Sequence, residues 1–171
     1  MCRRMLSLFL ILMLLCPCAQ AQTHTFSGLF SLSCDENVYT ADTSSWMDES
    51  DENSRWLMTL SAEAYLFDVT LSRVEGWEHV SLTDPSAAMT GWYLDSMTAD
   101  GFEHLDTVET NGVVFGLFRA DDEDGEYLLG ETVINGWAVS FYAYYNDPER
   151  PLDDALADAL KSVLATYQPC R

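Results

Sequence analysis

The chain predicts an α+β domain: an antiparallel sheet of about six strands, including a C-terminal four-stranded meander, packed by two helices. Three observations carry this. Residues 64–74 alternate strictly, with Tyr65, Phe67, Val69 and Leu71 set against Leu66, Asp68, Thr70 and Ser72, and a period of two places each set on its own sheet face. Asn111-Gly112 and Asn135-Gly136 each separate two apolar runs; Asn and Gly accept positive φ cheaply, so both read as two-residue hairpin turns. Residues 151–167 then repeat Leu152, Leu156, Leu160, Val163, Leu164 and Tyr167 at helical spacing.

The elements follow in order. Residues 25–33 read as a first strand anchored by Phe26, Phe30 and Leu32, and residues 38–40 extend it or pair with it. Residues 41–54 are polar and acidic apart from Trp46 and Met47, which predicts a loop. Residues 56–61 and 64–74 are strands. Asp84-Pro85 suits a helix start, with Asp84 as cap and Pro85 at the first position. Met89, Trp92, Tyr93 and Met97 share one face of that helix, and Gly101 ends it. The meander comprises residues 103–110, 113–120, 126–134 and 137–145, with an acidic turn at residues 121–125. The last helix carries Asp153, Asp154 and Asp158 largely opposite its apolar stripe, and Pro169 stops it.

The N-terminus has its own character. Arg3 and Arg4 precede the apolar run 5–15, and Ala19-Gln20-Ala21 supplies an A-x-A exit. These are the parts of a secretory signal peptide over residues 1–21, leaving residues 22–171 as a single acidic domain. The apolar run is shorter than the roughly 20 residues that a membrane span needs. Cys16 and Cys18 follow Leu15 and Pro17, where a lipid-attachment motif wants a small residue. No transmembrane segment is expected in the mature chain, and its location is secreted or cell-envelope, extracytoplasmic.

Loss of residues 1–21 leaves Cys34 and Cys170. Two cysteines in an exported domain read as one disulfide, with free thiols or intermolecular pairing as the alternatives. The formal charge is −20, and −22 without Arg3 and Arg4. Such a surface repels phosphate backbones and anionic membranes. A basic protein or a cation is the partner it suits.

The order of elements resembles the PsbP-like and DcrB-like group of small exported α+β domains. The likeness rests on the strand at 64–74, the helix after it, "VETNGVVFGLFRA", "EYLLGETVINGWAVSFYAYY" and the closing "LKSVLATYQP". Thr166-Tyr167 stands where the group has a short "SF"-like tail. The resemblance implies an antiparallel sheet between helices and a non-enzymatic accessory or binding role.

Three chemistries compete for a site. The acidic turn offers oxygens that suit Ca²⁺: matching Gly125 to the turn glycine of an EF-hand loop puts Asp122, Asp124 and Glu131 at ligand positions, but Ala120 at the first. Asp48, Glu49, Asp51 and Glu52 could contribute, and a solvated hairpin turn is the plainer reading. Tryptophans can stack on sugars or other small ligands; Trp46 and Trp77, in loops, are better placed than Trp92 and Trp137 on apolar stripes. Hydrolase chemistry has least support. There is no G-x-S-x-G, H-E-x-x-H or C-x-x-C, and His24, His79 and His104 are scattered. The leading expectation is an extracytoplasmic, non-enzymatic binding or accessory domain; a ligand- or carbohydrate-binding module comes second and an exported hydrolase third.

Overall fold

A computed structural model describes residues 21–26, 28–43, 53–123 and 125–170. The signal-peptide reading lies outside these residues except for Ala21, which opens the first strand.

Among the described residues, ten strands and two helices form in the order β1 (Ala21–Phe26), β2 (Phe30–Asp35), β3 (Thr40–Asp42), β4 (Ser54–Ser61), β5 (Tyr65–Arg73), α1 (Ala87–Ala99), β6 (Glu103–Thr110), β7 (Val113–Asp122), β8 (Gly125–Ile134), β9 (Trp137–Tyr145), α2 (Asp154–Leu164) and β10 (Gln168–Pro169). Seven strands make the main sheet in the order β3-β4-β5-β9-β8-β7-β6. β1, β2 and β10 make a small second sheet. Every pairing between these strands is antiparallel. The α+β class therefore holds, with more strands than the sequence suggested.

The meander folds as its turns dictate. Asn111 and Gly112 have φ of 51° and 77°, and Asn135 and Gly136 have 50° and 80°, so both pairs adopt the left-handed conformation of a tight hairpin turn. Thr110 then faces Val113, and Ile134 faces Trp137. Elsewhere the boundaries shift. The single first strand is in fact a hairpin broken near Gly28, whose φ is +70°. Residues 40–42 pair with β4 instead of β2. Asp84 is not the cap of α1; it takes φ of +47°, and Ser86 Oγ accepts the Met89 amide at 3.2 Å. Asp153, inside the span expected to be helical, caps α2 by accepting from the Leu156 amide at 3.1 Å.

The main sheet has two apolar faces, and among the described residues each is packed by one helix. Neighbouring strand residues point to opposite faces, and β8 makes this concrete. A Cβ on Gly130 would lie 3.0 Å from Leu164 of α2. Next to it, Glu131 receives the Tyr93 hydroxyl of α1. On the first face, α2 packs with Phe67, Val69, Leu71, Phe115, Val139 and Phe141. The small sheet closes this face, with Tyr167 stacked on Phe30 at 4.9 Å and edge-on to Phe115 at 5.0 Å. On the second face, Tyr93 and Met97 of α1 pack with Val80, Leu82, Val114, Phe118, Leu129 and Val133.

Cys34 and Cys170 do not form the expected bridge; both thiols are free, the first buried and the second exposed. Register explains it. β10 runs against the turn end of β2, with Pro169 opposite Phe30 and the Cys170 amide bonded to the Leu29 carbonyl. Cys34 lies five residues further along and faces Gln22. At about 3.3 Å per residue that separates the cysteines by roughly 16 Å, against at most about 7 Å for a disulfide.

Candidate functional site

α1 covers the second face only over β6 to β9. Beyond it no described element covers the sheet, and a groove of about 660 Å³ lies on β4, β5, β9 and the start of β8. Its floor follows from strand alternation. With Phe67, Val69 and Leu71 turned into the first core, Asp68, Thr70 and Ser72 must face the other way. On β9, Tyr142 and Tyr144 do the same, and on β8 so does Tyr127. On β4, the register shifts between Trp56 and Met58. That bulge leaves Met58 in the first core and pairs Trp56 with Thr70, so the indole lies over the groove, 42% exposed. Asp122 and Glu126 from the β7–β8 hairpin, and Asp147 and Arg150 after β9, form the rim.

Asp68 organises the floor. Its side chain is only 4% exposed, and a buried carboxylate needs donors. Thr59 Oγ1 donates to Oδ1 at 2.6 Å and the Tyr144 hydroxyl donates to Oδ2, with the Trp56 side chain near enough to favour the charged form. Burial pushes the Asp68 pKa upward, while Thr59 and Trp56 oppose the shift. The Tyr144 ring is thus tethered to this acid by its hydroxyl. Tyr142 packs against Tyr127 at 5.4 Å. Burial, then the nearby charge of Glu131, raises the pKa of Tyr142.

Glu131 lies beside this floor, beneath α1. Ser140 Oγ donates to its Oε2 at 2.6 Å and the Tyr93 hydroxyl to its Oε1 at 3.2 Å. Glu131 does not join Asp122 at the acidic turn. Glu131 pairs with Gly116 whereas Asp122 pairs with Gly125 at the hairpin tip, so the two acids are separated by roughly 20 Å of strand. Asp124 and the acids at positions 48, 49, 51 and 52 lie outside the described residues. Among the described residues, no three His, Cys, Asp or Glu side chains gather as a metal site.

The tryptophans also redistribute. Trp46 lies outside the described residues. Trp77 is half-buried, with ring contacts to Trp92 at 5.1 Å and Tyr93 at 6.0 Å. Trp92, expected on the buried stripe, is 42% exposed, and His79 flanks it at 6.3 Å. Trp56 was the tryptophan that sequence reasoning passed over. Its signal was visible: it precedes the alternating apolar pair Met58 and Leu60, but the bulge that reorients it was not. The hydrolase reading required a histidine in a pocket beside a serine and an acid. The groove offers Ser54, Ser72 and Asp68; His79 and His104 lie elsewhere, with His104 Nε2 3.1 Å from Thr107 Oγ1.

Fold and site together define an antiparallel α+β domain bearing an aromatic, acid-floored groove of ligand size. In comparisons with known proteins, no family model and no curated protein matches the chain. Among the described residues, no helix is long and apolar enough to cross a membrane.

Proposed function

We propose that this is an extracytoplasmic, non-enzymatic binding domain whose ligand sits in the groove over Asp68. One observation carries the reading. A stretch of sheet face that no described element covers is furnished with Trp56, Tyr127, Tyr142 and Tyr144 around a carboxylate that accepts from Thr59 and Tyr144. Aromatic rings fixed by hydrogen bonds are pre-organised contact area, and little further ordering is lost when a ligand arrives. The extracytoplasmic location rests on the leader pattern of residues 1–21. The accessory role accords with the PsbP-like and DcrB-like resemblance, which implies a sheet between helices.

The test is an amide and indole ¹⁵N spectrum of the protein against a panel of small amines, neutral sugars and carboxylates. Binding should move the Trp56 indole resonance and the amides of Thr70 and Tyr142 together. If no compound moves them, or if all shifts map to Trp77 and Trp92, the groove is not the binding site. N-terminal sequencing of material exported from cells checks the location; a start near Gln22 is expected, and Met1 retained would refute it.

A further inference from the structure

The ligand's chemistry can be narrowed, on the footing that the groove is the binding site. We propose that the groove takes an organic cation, a ligand presenting an ammonium group to the faces of Trp56, Tyr142 and Tyr144.

Charge is the first ground. Asp68, Asp122, Glu126 and Asp147 line the groove, and Arg150 is the one cation in that lining. Arg150 is also engaged: it lies 3.4 Å from Asp153 Oδ2, and its guanidinium carbon sits 3.8 Å from the centre of the Tyr145 ring. The chain carries −20 overall, so the field in the groove attracts cations and opposes phosphates and carboxylates.

Ring chemistry is the second ground. A π face is negative, and a cation over it within about 6 Å is attracted, most strongly over Trp. Tyr144 donates its hydroxyl to Asp68 and the Trp56 side chain lies near the same carboxyl, so this acid stands beside the rings that would hold the cation. The two hydroxyls that donate to Asp68, those of Thr59 and Tyr144, suit its ionised form, which accepts and does not donate.

The third ground separates a cation from a sugar. Sugar recognition uses free donors and acceptors matched to hydroxyls. Here the Thr59 and Tyr144 hydroxyls are spent on Asp68. Ser54 and Ser72 are bonded to each other at 3.1 Å, and beside the hydroxyls of Thr70, Tyr127 and Tyr142 the groove presents ring surface and four acids, so its charge carries the distinction. Arg150 on Tyr145 beside Asp153 is the same construction, built by the chain at the groove's end and already holding a cation. The volume of about 660 Å³ exceeds a bare ammonium, so the ligand has an apolar or polar body attached to its charged head.

Titration calorimetry of the full chain provides the test, with tetramethylammonium and 1,4-diaminobutane as cationic probes and glucose and maltose as neutral ones. Cation binding is expected, weakening as salt rises. Trp56→Leu should weaken it about ten-fold or more, Trp56→Phe should retain most of it, and Asp68→Asn should weaken it several-fold. Melting curves of each variant show that the fold is kept. Sugar binding that depends on Trp56, without cation binding, overturns the cation assignment and leaves the groove reading standing. Cation binding indifferent to Trp56 and Asp68 overturns the assignment, and binding of no probe overturns it together with the groove reading.

Discussion

Tyr93 of α1 donates its hydroxyl to Glu131 of β8 across 3.2 Å, the bond that joins the second-face helix to the sheet beside the groove. Burial raises the Glu131 pKa against the opposing bonds from Ser140 and Tyr93. A carboxyl whose folded pKa is raised favours the fold when protonated. Its contribution is full below the ordinary carboxylate range, about 4.3 for Glu, and is lost as pH rises through the folded value. Glu131→Gln keeps an acceptor and removes the charge. Its melting temperature should therefore gain on the parent protein steadily between pH 4 and pH 7, and a difference independent of pH would refute the assignment. Tyr93→Phe takes a donor from a buried acid and should cost about 1–3 kcal/mol in denaturant unfolding at pH 7.

The same helix needs room to come down on the sheet, and Gly116 provides it. A Cβ there would lie 2.5 Å from the Phe118 ring and 3.1 Å from the Tyr93 ring. Gly116→Ala should destabilise by about 1–3 kcal/mol through overpacking. Gly91→Ala, on α1 where a Cβ would meet nothing within 4 Å, should be neutral or stabilising by up to about 1 kcal/mol. Thermal unfolding of the two variants gives the comparison.

Much of this architecture was legible because local chemistry decides it. Two Asn-Gly pairs fix the hairpins of β6–β7 and β8–β9, and the alternation of residues 64–74 gives β5 both of its faces. The stripe from Leu156 to Leu164 announces α2. What was hidden depends on register and pairing. Nothing local reveals that β10 meets the turn end of β2, which is why Cys34 and Cys170 suggested a bridge. Nothing local reveals that β5 pairs with β9, and that pairing brings Asp68 to Tyr142 and Tyr144. The groove is a product of those long-range pairings. Its tryptophan depends on a bulge, whose extra residue leaves no mark in composition.

Asn111 does two jobs that substitution can separate. It holds the left-handed turn at φ of 51°, and its side-chain amide donates to the Tyr167 carbonyl at 2.7 Å, tying a hairpin tip to the chain's end. Asn111→Gly keeps the backbone and loses the tie, for an expected cost of about 1 kcal/mol. Asn111→Ala loses both and should cost about 1 kcal/mol more, since Ala pays for the left-handed conformation. Equal melting temperatures for the two variants would show that the turn does not feel its Cβ.

The two thiols should behave as separate groups. Cys170 is exposed, while Cys34 is 5% exposed in the first core, where burial raises its pKa and suppresses the reactive thiolate. In the native protein a maleimide should therefore label Cys170 rapidly and Cys34 only on unfolding. Cys170→Ser should leave the melting temperature within about 1 °C, since surface substitutions shift stability by less than ~0.5 kcal/mol. Cys34→Ser puts a hydroxyl among Phe30, Leu32 and their neighbours and should cost about 1–3 kcal/mol. Identical melting curves with and without reductant are expected. A large loss of stability on reduction, or protection of both thiols from label in the oxidised protein, would mean that the strands can bring the cysteines together after all.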